Sequence, residues 1–171
     1  MGRILPVSPM SEHSTRYYST RQESMIAKYL EWSVVVGSGS RPFRPGDVCD
    51  DNYLGECKTS EVETDRIKIM KSHWKKISNE AMGAHKIPVL FVDNGTQKPD
   101  GTFCVTRRLN QISAESYPAI RISDSSASFS MKSAMAFLSE HNYIFAADLF
   151  GEKLVVFTLS KFKEYLSENQ W

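Results

Sequence analysis

The sequence predicts an α/β fold holding one catalytic unit. Helical and strand patterns follow one another in the order α-β-β-β-α-β-β over the first two thirds of the chain. The second helical stripe is long enough to pack across a sheet, and Ile87-Pro88-Val89-Leu90-Phe91-Val92 has the continuous apolar character of a buried strand. With 171 residues the chain suffices for one mixed domain with a sizeable core and falls short of two ordinary enzymatic domains.

Residues 1 to 18 are polar, contain Pro6, Pro9, Arg3, Arg16, Tyr17 and Tyr18, and read as a flexible arm. A first helix is expected from Thr20, which makes a capping-box pattern with Glu23. Ile26, Ala27 and Leu30 line one face of it, and Glu23 shares that face through i, i+3, i+4, i+7 spacing. A carboxylate at the inward-facing start of an apolar stripe needs a reason. Ser33 to Val36 gives a short β-branched strand, which Gly37-Ser38-Gly39-Ser40 breaks into a small-residue loop. Asp47-Val48 opens a second strand and Tyr53 to Lys58 a third, joined into a hairpin by the polar turn Asp50-Asp51-Asn52.

A second helix is read over about Thr64 to Met82, because Ile67, Met70, Trp74, Ile77 and Ala81 recur every three or four residues. After Ile87 to Val92 comes a polar turn over residues 93 to 101, and then the alternating strand Thr102 to Thr106. The remainder is read as a Ser-rich connection at 123 to 130, a short helix near Met131 to Glu140, a strand Leu154 to Thr158 and a terminal helix from Ser160.

The 21 Lys and Arg residues nearly balance 20 Asp and Glu, so nucleic-acid binding would depend on where basic residues cluster and not on their excess. Cys49, Cys57 and Cys104 leave one unpaired under any disulfide scheme and lack the spacing of a structural zinc site, which points to a reducing, cytoplasmic setting. No run approaches the roughly 20 apolar residues of a membrane span, and no secretory leader is apparent.

Phosphodiester hydrolysis requires charge stabilisation at phosphoryl oxygens and an activated water, commonly supplied by carboxylate-bound Mg²⁺. Asp47 at the start of one hairpin strand, and Glu56 and Lys58 on its partner, bring two acids and a cation towards one point. Glu56 and Lys58 have the same parity and project from one sheet face, whereas Cys57 faces the other and joins the core.

Gly46-Asp47-Val48, eight intervening residues, and then Glu56-Cys57-Lys58 resemble the PD-(D/E)XK nuclease superfamily. With Glu23 in a first helix, Val34-Val35-Val36 in a first strand and the Gly37-to-Arg41 loop, residues 19 to 92 resemble archaeal-type Holliday junction resolvases and their phage relatives. Gly46 separates Pro45 from Asp47, a departure from the name-giving motif. The resemblance implies a restriction-endonuclease-like arrangement, a mixed central sheet flanked by helices, with a nuclease core at 19–106 and an elaboration of the same domain at 107–171. It implies that Asp47 and Glu56 bind Mg²⁺ or a substituting Mn²⁺ with the backbone carbonyl of Cys57. Lys58 orients or activates the attacking water, Glu23 completes the site, and Ser38 or Ser40 supports cleavage. The implied substrate is branched DNA, cut by a homodimer whose interface would use the apolar faces after Val105. Arg21, Arg41 and Arg44, with Lys75 on the second helix, are candidate phosphate contacts.

Each residue has a plainer reading. Glu23 is then only the N3 member of a capping box, Asp47 a turn acid, Lys58 a solvated strand-end charge, and Lys75 and His73 ordinary helix-surface residues. Asp50 and Asp51 read as turn residues, and the cysteines as small core residues. The competing functions are a restriction-like or phage nicking endonuclease with another DNA target, and a DNA-binding or inhibitory module without turnover.

Overall fold

The computed structural model describes residues 14–37, 44–109, 120–141 and 143–169. In chain order the elements are α1 (Thr15–Leu30), β1 (Ser33–Val34), β2 (Val48–Cys49), β3 (Tyr53–Lys58), β4 (Arg66–Met70), α2 (Lys71–Gly83), β5 (Ile87–Asp93), β6 (Thr102–Arg107), β7 (Arg121–Ile122), β8 (Ser126–Ser130), α3 (Met131–Leu138), β9 (Phe145–Leu149), β10 (Glu152–Thr158) and α4 (Leu159–Glu168). They build a mixed α/β domain. Its seven-stranded sheet runs β1-β2-β3-β5-β6-β10-β9, and a three-stranded sheet runs β4-β8-β7.

The large sheet is mixed because β3 and β5 are parallel, Glu56 lying opposite Leu90, while the other neighbours are antiparallel. A parallel pair needs a long crossover, and residues 59 to 86, which contain β4 and α2, supply it. The central strands are covered on both faces. Leu90, Val92, Phe103, Val105, Leu154 and Val156 pack with Trp74 and Ile77 of α2 and with the small sheet. Val89, Phe91, Cys104, Val155 and Phe157 pack with Ile26, Ala27 and Leu30 of α1 and Phe162 of α4. Strict alternation within a continuously apolar strand is how one strand feeds two cores.

Four sequence expectations change. Helix α1 begins at Thr15, within the segment read as an arm, so Thr20 is not its cap and Glu23 lies mid-helix. The capping-box reading of Glu23 therefore fails, while residues 1 to 13 of that arm lie outside the described residues. The stretch 64–70, read as helix, is largely strand: Ile67 and Ile69 are buried while Arg66 and Lys68 are exposed, a period of two. Its partner is the segment read as a Ser-rich connection, where Ala127 and Phe129 alternate with serines and sit opposite Ile69 and Ile67. Strand β9 has no counterpart in the sequence reading. The apolar faces after Val105, expected as a dimer surface, are occupied within the chain by Phe145, Leu149, Leu154, Phe157 and Phe162. Among the described residues no helix is long and apolar enough to cross a membrane.

Candidate active site

The β2–β3 hairpin is built for close approach. Gly46 has φ +72°, and a Cβ there would stand 2.6 Å from Leu54 Cδ1, so glycine is required between Pro45 and Asp47. Its amide donates to Glu80 of α2 at 3.0 Å. A Cβ on Gly55 would lie 2.5 Å from the Phe91 ring, so this position also excludes larger residues. The Asp47 amide donates to the Gly55 carbonyl at 2.7 Å, and Asp47 Oδ2 accepts the Cys57 amide at 2.8 Å. The carboxylate of Asp47 is thereby pinned to the edge of β3. The carbonyl of Cys57 faces that same edge, since a strand residue presents its N–H and C=O on one side.

On the α2 side of β3, Glu56 is 2 % exposed and forms an ion pair with Lys58 Nζ at 2.7 Å. Lys76 Nζ donates to both Glu56 oxygens at 2.8 Å. Burial alone would raise the Glu56 carboxyl, but hydrogen bonds and charge from Lys58 and Lys76 outweigh it and hold the group below its usual range. Glu23 receives less support. Burial, followed by the charges of Asp47 and Glu56, pushes its carboxyl from 4.5 up to about 7, and Arg16 and Lys58 offset this only in part. Three carboxylates, on α1, just before β2 and on β3, thus share one field, and Lys58 and Lys76 together neutralise the most buried of them.

Gln22, beside Glu23, was not anticipated. It is fully buried, donates Nε2 to the Lys58 carbonyl at 2.8 Å, and among the described residues its Oε1 has no hydrogen-bond partner. His73 enters the same field from α2. Burial, then the nearby Lys58, lowers its imidazole below the ordinary value, with Glu56 opposing. A sequence signal existed for both residues. Gln22, Ile26 and Leu30 fall at i, i+4, i+8, and His73, Lys76 and Glu80 at i, i+3, i+7.

Lys75, expected as a phosphate contact, pairs its Nζ with Glu152 at 3.3 Å beside the Trp74 indole, whereas the next residue, Lys76, is the one that reaches Glu56. One residue along a helix turns the side chain by about 100°. Arg44 is exposed and donates Nη1 to the Val36 carbonyl at 2.7 Å, bracing the ends of the loop. Arg21 is exposed on α1 in a surface hollow with Arg16 and Tyr17. Ser38, Ser40 and Arg41 lie outside the described residues. No family model, no curated protein and no solved structure matches the chain.

The donor set suits a hard cation. Asp47, Glu56 and Glu23 offer carboxylate oxygens, Cys57 a backbone carbonyl, and Gln22 an orphaned amide oxygen. Among the described residues no three His, Cys, Asp or Glu side chains are gathered tightly enough to hold an ion as they stand. Glu56 is turned towards two lysines, so taking a cation would require it to exchange the Lys76 ammonium. Cys57 and Cys104 are buried and their thiols pushed well up, in Cys57 by burial first and Asp47 second, consistent with core packing and not with thiolate ligands.

Proposed function

We propose that the chain is a metal-dependent endodeoxyribonuclease of the PD-(D/E)XK kind. The observation that carries this reading is the juxtaposition of Asp47, Glu56 and Lys58 on one hairpin with Glu23 in the same field, the order and element placement of that motif. The mixed sheet flanked by helices is compatible with a restriction-endonuclease-like arrangement. Asp47 and Glu56, with the Cys57 carbonyl, are the residues that would hold Mg²⁺ or Mn²⁺. A bound divalent cation would neutralise charge on the phosphoryl oxygens and acidify a water. Lys58, whose ammonium stands beside Glu56, would orient the attacking water. Glu23, with its raised affinity for a proton, stands ready to exchange that proton for a cation.

Branched DNA is the substrate the resemblance implies, and paired nicks across a four-way junction need two copies related by a two-fold axis. A second reading, a nicking endonuclease that works one strand at a time, is favoured by the burial of the apolar faces after Val105 within a single chain. The test is incubation of the purified full chain with labelled four-way junctions, linear duplex and single strands, in Mg²⁺ or EDTA. Metal-dependent cutting is expected, with symmetric nicks for the resolvase reading and single nicks for the other. Cutting that persists in EDTA, or none on any DNA, contradicts the proposal.

A further inference from the structure

Strands β4, β7 and β8 carry Arg66, Lys68 and Arg121 and not one Asp or Glu. Register decides where these cations stand. Residues directly opposite one another in a sheet share a face. Lys68 pairs with Ser128, which pairs on its other side with Arg121, so the three form one row across all three strands. Arg66 pairs with Ser130 in the next row of the same face, about 7 Å along. The opposite face of β4 and β8 carries Ile67, Ile69, Ala127 and Phe129 and is sealed in the core. The outward face is therefore three exposed cations with half-buried serines between them and the half-buried Met70 at the end of β4. Among the described residues none of the three cations has an ion-pair partner, whereas Lys58, Lys75, Lys76 and Arg107 are all paired.

This face leads into the candidate active site. A cavity of about 240 Å³ opens beside Lys58 and is bordered by Arg66, Lys68, His73, Thr59 and Ser60. An acid, Asp93, lines this cavity; it is buried and accepts the Thr59 hydroxyl and the amides of Gly95 and Gln97, while Asp65 accepts the Ser130 hydroxyl and the Lys132 amide, and Glu61, Glu63 and Asp124 lie on flanking loops. Cations interleaved with hydroxyl donors are what a phosphodiester backbone recruits, and they act without reading bases.

We propose that the outward face of the β4-β8-β7 sheet is a DNA-backbone platform that receives the strand leading into the Lys58 cavity. It rests on the nuclease reading for the identity of its ligand, and it gives residues 121 to 130 a task in substrate binding. Arg66 and Lys68, two residues apart along β4, contact successive phosphates, and the Ser128 hydroxyl and Arg121 extend the contact across the sheet. Binding there is sequence-independent and strongly dependent on salt.

The test compares the full chain with the triple variant Arg66→Gln, Lys68→Gln, Arg121→Gln. Affinity for a fluorescein-labelled single strand and a four-way junction is read by anisotropy in EDTA across a salt series, and hydrolysis of bis(p-nitrophenyl) phosphate is read in Mn²⁺. The variant is expected to bind DNA at least about 10-fold more weakly, with a salt slope shallower by about one for each phosphate no longer engaged. Its thermal midpoint should match the parent, and its turnover of the small diester, which meets only the cavity end of the face, should fall less than its DNA affinity does. An unchanged affinity and slope overturns the platform, as does a loss of small-diester turnover larger than the loss of DNA affinity, which would place the damage in the centre itself. Parent chain that binds phosphatidylserine vesicles as tightly as DNA also overturns the assignment. DNA binding that weakens as expected in a protein that cuts nothing supports the platform and rejects the nuclease reading separately.

Discussion

Asp47→Asn, Glu56→Gln and Lys58→Ala are each expected to lower single-turnover DNA cutting by about 10²- to 10³-fold, the loss that follows removal of one preorganised charge-stabilising group. Affinity for DNA in EDTA should stay within a few fold of the parent. The variants are chosen so that structure survives. An asparagine at position 47 keeps a carbonyl oxygen to accept the Cys57 amide, as the carboxylate does at 2.8 Å. A glutamine at position 56 can still accept from Lys76, and Lys58 meets Gln22 through its backbone carbonyl, which truncation leaves in place. In the Glu56 variant, Lys58 and Lys76 lose their shared anion, so a modest fall in stability should accompany the loss of turnover. A rate within a few fold of the parent for any of the three contradicts its place in the centre.

Trp74→Ala is expected to cost about 3–5 kcal/mol in urea unfolding, the range for deleting a large aromatic from a core. Trp74 is fully buried where α2 packs on the large sheet, and its indole donates to Glu152 Oε2 at 2.6 Å. Glu152 also receives Lys75 and Arg107, so it keeps partners when the indole goes. The cavity therefore dominates the loss, and Trp74→Phe should cost distinctly less. Because α2 also presents His73 and Lys76 to the carboxylates, the alanine variant should cut poorly even below its unfolding midpoint. A cost under about 1 kcal/mol would show that α2 is not held by this residue.

What the sequence made legible follows from the range of the forces involved. The β2–β3 hairpin is local: Asp50 Oδ1 accepts the amides of Asn52 and Tyr53, closing a turn whose residues announce it. Asp47, Glu56 and Lys58 could therefore be placed by counting. Strand β4 could not, because Ile67 and Met70 also fit a helical stripe with Trp74, and only pairing with β8 some sixty residues on decides the period. Reading β4 as helix hid the face bearing Arg66 and Lys68. That Lys76 is the α2 lysine that reaches Glu56 was hidden for a related reason, since the rotation of α2 is set by Trp74 and Ile77 seating on the sheet. Strand β9, Phe-Ala-Ala-Asp-Leu, has weak strand propensity and exists by its pairing with β10. Glu23 is recognisable as an acid on an apolar stripe, but its place in the helix depends on α1 starting at Thr15, which the polar residues before Thr20 conceal.

The claim on which the rest depends is that the three carboxylates form a divalent-cation site. Mn²⁺ binding, measured by the loss of the free-ion electron paramagnetic resonance signal across pH, tests it most directly. Saturable binding by the full chain is expected to strengthen as pH rises towards and through about 7, where Glu23 gives up its proton, and to be lost in the double variant Asp47→Asn, Glu56→Gln. Binding of equal strength in that double variant, or none in the parent at any pH, would contradict it.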